Sequence, residues 1–394
     1  MTQAPWPGRG SDILPVDAPE ARLVGRVWLP GVGPVVVAVR GESVIDIGTT
    51  FATMRTLTEH PAPASALDAA VGPTIATIDD LVGNTPPDTR DPRRPWLLSP
   101  IDLQVVKASG VTFPASLLER VIEERAHGDS RAAAAIRAEI DAVVGTAVAD
   151  IVPGSQEARE LKELFVERGW WSQYLEVGIG PDAEVFTKAP VLATVGGLVD
   201  VGVLATSAWN NPEPEIVTVI SSRGAIVGAA LGNDVNLRDV EGRSALLLGK
   251  AKDNNASAAV GPFIRLFDET FTLDDVRVAE VSLVVAGADD YRLTARSDMS
   301  KISRDPLDLA AQTIGPHHAY PDGLVLYLGT MFAPTADRRT AGSGFTHDTD
   351  DLVAISTPRL GALVNRVRPA HLVAPWDFGI ADLYRSLAAR GATI

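Results

Sequence analysis

Two β-prone runs joined by a short turn are the feature that most constrains how this chain can fold. The runs are Glu215–Ser221 and Ala225–Leu231, and both are rich in apolar and β-branched residues. Between them lies Ser222-Arg223-Gly224, which is typical of a hairpin turn. A tight turn centred between the second and third of these residues predicts an antiparallel hairpin with a fixed register.

The open end of this hairpin carries acidic residues on both strands. The register places Glu213 opposite Asp234. It places Glu215 opposite Gly232, which leaves space. Because residues i and i+2, and directly opposed residues, share a face, the three carboxylates should converge. Three carboxylates so close would raise one another's pKa unless a divalent cation lay between them. Sites made only of oxygen ligands favour Mg²⁺, Mn²⁺ or Ca²⁺. An isolated Glu-x-Glu is usually the solvated side of an edge strand, so this interpretation depends on the register.

Composition excludes several classes of function. The chain has 35 Lys and Arg against 50 Asp and Glu, a net charge of −15, and no dense basic run, which argues against nucleic-acid binding. The absence of cysteine excludes disulfides, thiolate catalysis and zinc–thiolate sites. The N-terminus lacks the apolar core of a signal peptide, and no segment has the pattern of a membrane span. We therefore expect a cytoplasmic protein that does not bind membranes.

The patterns along the chain predict an α+β fold. The predicted strands are Leu23–Leu29, Val35–Arg40, Ser43–Ile47, Glu215–Ser221, Ala225–Leu231, Val276–Val285 and Leu324–Leu328. The predicted helices are Pro114–Arg125, Ser130–Val144, Ser155–Arg168, Asp305–Ile314 and Ile380–Arg390. Residues 48–95 are predicted to be rich in loops and to end in a proline- and charge-rich linker. We therefore expect a small N-terminal β domain at 1–95 and a catalytic domain at 96–394.

Three motifs resemble the fumarylacetoacetate hydrolase superfamily. They are NNPEPE at 210–215, GNDVNLRD at 232–239, and Lys252 with Gly261-Pro262 further on. Within that superfamily, other stretches resemble the bacterial 2-keto-3-deoxypentonate dehydratases of non-phosphorylative pentose catabolism. These stretches are Leu97–Gln104, Trp171–Val177, Ala251–Ser257 and Leu328–Pro334.

The resemblance implies a strand-rich, mixed β-sandwich roll that binds Mg²⁺, with Mn²⁺ or Ca²⁺ as alternatives. It assigns the metal to Glu213, Glu215 and Asp234, which match the superfamily's ligands. It also implies a homo-oligomer, either a dimer or a tetramer, whose substrate is a small 2-keto acid.

Other residues of the resemblance face the substrate. Lys252 matches the superfamily's pocket lysine, while Arg238 and Thr330 match positions that line the pocket. Lys252 is either a base, if its pKa is lowered, or a cation that holds the substrate. Three roles stay open for Lys188: it lies near the substrate carboxylate, it supports the metal ligands, or it forms a structural salt bridge.

One departure from the superfamily bears on the reaction. Many of its hydrolases carry a His–Glu pair on a helix, three and six residues after an aromatic residue. After Phe113, this chain keeps Glu119 but has Ser116 in place of the histidine. Glu119 is then the candidate proton donor, with Ser116 orienting the leaving hydroxyl; a solvated helix face is the alternative.

The favoured function is the Mg²⁺-dependent dehydration of a 2-keto-3-deoxypentonate, such as 2-keto-3-deoxy-D-xylonate, to 2,5-dioxopentanoate. An acylpyruvate C–C hydrolase or an oxaloacetate decarboxylase is the second possibility, and Ser116 argues against hydrolysis. The third is a cation-binding or interaction protein without turnover.

Overall fold

The computed structural model of the chain describes residues 6–127, 129–140, 151–339 and 344–392. The strands are β1 (Leu23–Leu29), β2 (Gly33–Arg40), β3 (Ser43–Asp46), β4 (Thr74–Thr77), β5 (Trp96–Leu97), β6 (Val105–Ser109), β7 (Val185–Ala189), β8 (Val199–Val203), β9 (Asn210–Asn211), β10 (Pro214–Ile220), β11 (Ile226–Asp234), β12 (Asn236–Leu237), β13 (Ala258–Leu266), β14 (Glu280–Ala286), β15 (Arg292–Asp298), β16 (Leu324–Tyr327), β17 (Leu352–Thr357) and β18 (Gly361–Pro369). The helices are α1 (Met54–Thr58), α2 (Pro63–Ala69), α3 (Ile78–Asn84), α4 (Pro114–Arg125), α5 (Ser130–Ile140), α6 (Gln156–Glu167), α7 (Gln173–Ile179), α8 (Arg238–Glu241), α9 (Leu248–Lys252), α10 (Leu273–Arg277), α11 (Pro306–Thr313) and α12 (Ile380–Ala389).

Two sheets organise most of these strands. The larger sheet has the order β4-β3-β2-β1-β13-β11-β10-β16-β6-β7, with β5 paired to β1. The smaller sheet has the order β15-β14-β17-β18-β8. Among the described pairs, β6 with β16 and β8 with β18 are parallel, and the others are antiparallel.

The two sheets pack face to face and enclose the main core. Ile216 and Leu231 of the larger sheet belong to the same buried cluster as Leu283 and Ile355 of the smaller sheet. Burying one such side chain contributes about 1.5–3 kcal/mol, so this interface is a major source of stability. The arrangement confirms the predicted strand-rich α+β sandwich.

The β10–β11 hairpin confirms the predicted register at its open end. Glu215 lies opposite Gly232, and the Asp234 N–H donates to the Glu213 carbonyl at 3.1 Å. A Cβ on Gly232 would lie 2.5 Å from a ring atom of Tyr327, so any larger residue would clash. The space predicted beside Glu215 is therefore filled by an aromatic ring.

The turn lies at the predicted segment, 222–224, but its predicted centre is wrong. The Ser221 N–H donates to the Ala225 carbonyl at 2.9 Å, so the turn encloses all three residues, one more than a turn centred between Arg223 and Gly224 would. Ile220 then lies opposite Ile226, and Val227 is skipped before regular pairing resumes. This bulge absorbs the extra residue, because a shift of one place would otherwise move every later side chain to the opposite face.

The N-terminal strands belong to the larger sheet, because β1 pairs with β13. Residues 48–95 contain α1, α2, α3 and β4, which the expectation of a loop-rich stretch missed, whereas 85–95 lies outside helices and strands as expected. These elements are too short to give a clear hydrophobic period, although α3 has a capping box in which Thr77 accepts from the Asp80 N–H at 3.1 Å. The division into domains at residue 95 stays a prediction.

The predicted strand Val276–Val285 begins too early. Residues up to Arg277 form α10, and a capping box between Thr272 and Asp275 starts that helix. The strand itself, β14, begins at Glu280. The capping signal therefore outweighs the β-branched residues at the start of this run.

Two predicted helices follow β6 in the chain. Helix α4 has the predicted bounds, Pro114–Arg125. The helix predicted to reach Val144 is described as α5 as far as Ile140, and positions 141–144 lie outside the described residues. No helix in the described ranges combines the length and apolar character that a membrane span requires.

Candidate metal centre

Three buried carboxylates meet at the open end of the β10–β11 hairpin. Glu213, Glu215 and Asp234 are at most 2% exposed, and each offers an oxygen that lies within 4.8 Å of the others'. The hairpin register brings them together, as the sequence predicts. All-oxygen sites of this kind suit hard divalent cations, so this group could bind a metal ion.

The loop after β16 holds Glu215. The Gly329 N–H donates to its Oε2 at 2.8 Å, and the Thr330 hydroxyl donates to its Oε1 at 3.1 Å. Gly329 has a φ of 102°, and a Cβ there would collide with the Thr112 hydroxyl, so glycine is required. Burial and the two neighbouring carboxylates raise the pKa of Glu215 well above its ordinary range.

Two buried lysines contact the other carboxylates. Lys252 pairs with Asp234 at 3.0 Å and also with Glu213. Lys188 pairs with the second oxygen of Asp234 at 2.8 Å and donates to the Ser257 hydroxyl at 3.2 Å. Lys188 is fully buried, and its pair with Asp234 fits both a structural salt bridge and the support of a metal ligand. We call Glu213, Glu215, Asp234, Lys188 and Lys252 the inner cluster.

Ion pairing sets the protonation of the inner cluster. Burial acts to raise the pKa of Glu213, but Lys252 and Arg120 outweigh it and lower the pKa to about 2. Burial acts to lower the pKa of Lys252, but Asp234 and Glu213 outweigh it and raise that pKa. Without a metal ion, both groups are therefore charged at neutral pH.

Helix α4 reaches the inner cluster through Arg120. One guanidinium nitrogen contacts Glu213, and another contacts Glu123 at 2.6 Å and Glu241 at 3.2 Å. Arg120 is only 8% exposed, so its charge is compensated by these carboxylates rather than by water. The sequence analysis did not identify Arg120, Glu123 or Glu241.

A second group of charges lies beside α4, and we call it the outer cluster. Arg238 pairs with Glu119 and with Glu123, each at 2.6 Å, and stacks over Trp209 at 4.4 Å. Arg137 pairs with Glu119 at 2.7 Å. The outer cluster thus consists of Glu119, Glu123, Arg137 and Arg238, with as many acids as bases.

The outer cluster contains two residues that the sequence analysis assigned to the pocket. Arg238 is 1% exposed, and its guanidinium is occupied by carboxylates and by the Pro334 carbonyl at 3.3 Å. Burial acts to raise the pKa of Glu119, but Arg137 and Arg238 outweigh it and lower that pKa. Neither residue lines the pocket above the inner cluster.

A small pocket opens above the inner cluster. Its lining residues are Ser109, Gly110, Val111, Ser116, Arg120, Glu184, Phe186, Glu213, Asp234, Glu241, Lys252 and Thr330. Three of the residues named in the sequence analysis, Ser116, Lys252 and Thr330, therefore line this pocket. The Ser116 hydroxyl donates to the Phe113 carbonyl at 2.9 Å, which fixes its position on α4.

Glu184 is a pocket residue that the sequence analysis missed. Within the described residues, its carboxyl forms no ion pair, and burial raises its pKa. Gly110 makes room for it, because a Cβ there would lie 1.7 Å from a Glu184 oxygen. Glu241 is a second acidic pocket residue that the sequence analysis missed. Burial raises its pKa to about 7, although its ion pair with Arg120 acts to lower it.

Some of these residues have a signal in the sequence. Ser116, Arg120 and Glu123 lie at positions i, i+4 and i+7 of α4, so one helix face carries all three. Glu241 follows Arg238 by three residues and is its neighbour on α8. Glu184 has no local pattern, because only the tertiary fold brings it to the pocket.

Two curated proteins are similar in sequence, although no protein-family model matches the chain. The "Probable 2-keto-3-deoxyxylonate dehydratase" of Haloferax volcanii is 29% identical over 213 residues, which are 54% of this chain and 68% of that protein. The 2-dehydro-3-deoxy-D-arabinonate dehydratase of Saccharolobus solfataricus is 27% identical over 185 residues, which are 47% of this chain and 58% of that protein.

Solved structures share the fold. A 2-keto-3-deoxy-D-arabinonate dehydratase complexed with magnesium and 2,5-dioxopentanoate has a TM-score of 0.60 and 19% identity, covering 88% of this chain and 99% of that one. A fumarylacetoacetate hydrolase from psychrophilic Exiguobacterium antarcticum has a TM-score of 0.54 and 13% identity, covering 89% of this chain and all of that one. The chain therefore has the fold of a fumarylacetoacetate hydrolase and is similar in sequence to the two dehydratases.

The shared fold and the two similar sequences agree with the resemblance found in the motifs. NNPEPE at 210–215 supplies Glu213 and Glu215, and GNDVNLRD at 232–239 supplies Asp234. The motifs that indicate the superfamily are therefore the segments that build the inner cluster.

Proposed function

We propose that this chain is a Mg²⁺-dependent hydro-lyase that dehydrates a 2-keto-3-deoxypentonate. We take 2-keto-3-deoxy-D-xylonate as the substrate and 2,5-dioxopentanoate as the product. The names of the two curated relatives and the groups bound in the solved dehydratase structure support this choice. The observation that carries the proposal is the convergence of three buried carboxylates beside a buried lysine.

The inner cluster fits Mg²⁺ better than a softer metal. Its candidate ligands are all carboxylate oxygens, the type that Mg²⁺ prefers. Without a cation, burial and mutual repulsion raise the pKa of Glu215, a cost that a dication at this position would remove. When bound, Mg²⁺ would polarise the keto group of a 2-keto acid, which makes the adjacent C3–H more acidic.

We propose Lys252 as the base that removes the C3 proton. Its pKa is raised by Asp234 and Glu213, which are also the proposed metal ligands. If those carboxylates give their charge to a dication, this stabilisation of the ammonium group is lost. Burial then lowers the pKa of Lys252 towards the range in which an amine accepts protons.

We propose Glu184, rather than Glu119, as the acid that protonates the departing C4 hydroxyl. A proton donor needs a pKa near or above neutrality, and burial raises that of Glu184. Glu119 is held ionised by two arginines outside the pocket. Loss of water followed by tautomerisation converts C5 to the aldehyde carbon of the product.

Three other predicted residues would hold the reacting groups in position. Ser116 lines the pocket and would orient the leaving hydroxyl. Thr330 and Lys188 would act through the ligands that they contact, Glu215 and Asp234. We also propose a homodimer or homotetramer, which sedimentation analysis of the purified chain would test.

The deciding experiment is a turnover assay with purified protein. We expect 2-keto-3-deoxy-D-xylonate and Mg²⁺ to give 2,5-dioxopentanoate, detected as its aldehyde, and EDTA to stop the reaction. Acylpyruvates and oxaloacetate, assayed in parallel, test C–C hydrolysis and decarboxylation. Turnover of those compounds without dehydration of the sugar acid would overturn the proposal, as would Mg²⁺-independent dehydration.

A further inference from the structure

We propose that Arg120 competes with the metal ion for Glu213 and thereby couples occupancy of the metal centre to the position of α4. This inference rests on the proposed Mg²⁺ site. It concerns the cation that Mg²⁺ must displace from Glu213 when it binds, a step that the proposed reaction does not describe.

The guanidinium of Arg120 joins the hairpin to α4. It contacts Glu213 on the hairpin, Glu123 on its own helix, and Glu241 on α8. Arginine keeps its proton at any accessible pH, so this positive charge is permanent. A permanent cation therefore occupies one side of a proposed metal ligand.

Both carboxylate oxygens of Glu213 already bind cations. Arg120 contacts one oxygen, and Lys252 contacts the other. A dication bound to Glu213 would repel both, and at these distances in a buried site the repulsion is strong. Lys252 can lose a proton in response, whereas Arg120 can only move away or weaken metal binding.

Movement of Arg120 would affect one face of α4 more than the other. The polar face is held by ion pairs, whereas the opposite face is held by apolar packing. Leu117, Val121 and Ile122 belong to a buried apolar cluster that also contains residues of α7. Leu117 lies against Gly178 of α7, where an added Cβ would be 2.7 Å from it. Loss of the Arg120–Glu213 pair would therefore loosen the polar face of α4 and leave its apolar contacts in place.

Calorimetric titration with Mg²⁺ alone tests the competition. We expect Arg120→Gln to bind Mg²⁺ about tenfold more tightly than the wild type, because the substitution removes a buried positive charge that repels the metal ion. The matched control is Arg125→Gln: Arg125 is in the last turn of the same helix, and among the described residues it forms no ion pair. We expect that variant to stay within about twofold of the wild type. Equal or weaker binding by Arg120→Gln, or equal tightening in both variants, would overturn the proposal.

Hydrogen–deuterium exchange of the wild type tests the coupling without any substitution. We expect Mg²⁺ to accelerate amide exchange in peptides covering 114–125, with no change in α6 as an internal reference. Unchanged or slower exchange in α4 would contradict the proposal. If circular dichroism shows that Arg120→Gln is unfolded, this wild-type measurement decides alone.

The two proposals fail in distinguishable ways, because Mg²⁺ binding is measured without turnover. A wild-type protein that binds Mg²⁺, shows both effects of Arg120, and yet forms no aldehyde would contradict only the proposed dehydration. A wild-type protein that binds no Mg²⁺ would overturn the role of Arg120 together with the metal centre.

Discussion

The inner and outer clusters are neighbouring groups of charges at α4, the first buried and the second partly exposed, and they are built from different bases. The inner cluster sets Glu213, Glu215 and Asp234 against two lysines. The outer cluster sets two glutamates against two arginines. The first has three acidic side chains and two lysines, whereas the second has equal numbers of acidic and basic side chains.

This difference separates a site for chemistry from a structural network. Lysine is a compact cation whose pKa shifts on burial, so a group of lysines and carboxylates can exchange protons or bind a dication. Arginine stays charged and binds carboxylates through its fixed fork of donors, so it suits a permanent link. The outer cluster accordingly fixes α4 against α5 and α8, and Arg120 connects it to the inner cluster.

Substitution of Glu215 by Gln should break the inner cluster with the largest effect. The change removes one ligand charge and keeps the shape of the side chain, so we expect Mg²⁺-dependent turnover to be abolished. Mg²⁺ affinity should fall by more than the about 10–100-fold typical of residues that only support ligands. Calorimetry and the aldehyde assay measure the two losses.

The control for Glu215→Gln is Glu119→Gln in the outer cluster, which should leave Mg²⁺ affinity within about twofold. The melting temperature of Glu215→Gln should not fall, because Glu215 forms no ion pair within the described residues and its burial as an anion is costly. Metal-dependent turnover by Glu215→Gln would remove this glutamate from the ligand set.

Substitution of Glu184 by Gln sharpens the comparison, because it tests an acid that belongs to neither cluster. We expect kcat to fall by about 10²–10⁴-fold, the usual contribution of a proton donor, with Mg²⁺ affinity nearly unchanged. Steady-state kinetics and calorimetry measure the two quantities.

Gly110→Ala tests Glu184 independently, since the added methyl group would displace the Glu184 carboxyl. It should lower kcat in the same direction. Gly83→Ala is the matched control, because a Cβ there meets no atom within 4 Å. Glu184→Gln with wild-type kcat would show that the leaving hydroxyl takes its proton from another group.

Arg238→Met should destabilise the fold and leave the metal centre intact. Removing one partner of a buried ion pair costs about 3–5 kcal/mol, because Glu119 and Glu123 lose a positive charge that compensates for their desolvation. The free energy of unfolding, from urea denaturation, measures the loss. Arg277→Met removes an ion pair of a partly exposed arginine and should cost at most about 1 kcal/mol. Equal effects of the two variants would mean that the outer cluster is not a structural network.

The stabilising effect of Glu119 should depend on pH. Its pKa is lowered in the folded protein, so its contribution is present above the ordinary value of 4.5 and is lost as the pH falls through the lowered value. At pH 7 we expect Glu119→Gln to cost about 1.5–3 kcal/mol, the range for hydrogen bonds to charged groups. The difference from the wild type should shrink below pH 4.5, and a constant difference would argue against an ionised Glu119.

The strand period accounts for what the sequence could predict at this site. Glu213, Glu215 and Asp234 depend on local alternation and on the hairpin register, and the predicted register holds at the open end because the bulge at Val227 offsets the longer turn. Helix α4 could also be predicted from the sequence, because Pro114 begins it and an apolar stripe continues to its end.

Long-range contacts explain what the sequence could not predict. Glu184 reaches the pocket from the residue before β7, where no pattern marks it. Arg238 and Glu119 were assigned to the pocket by the resemblance, yet the fold pairs them with each other and neither lines the pocket. Which partner a buried charge finds depends on the packing of three separate helices.

The bulge at Val227 allows the turn of this hairpin to change in length during evolution. Insertions and deletions are tolerated best in surface turns. A gain or loss of one residue after Ser221 can be offset by removing or adding the bulge, so it need not propagate along β11. The acidic end of the strand is thereby insulated from the segment of the hairpin most open to changes in length.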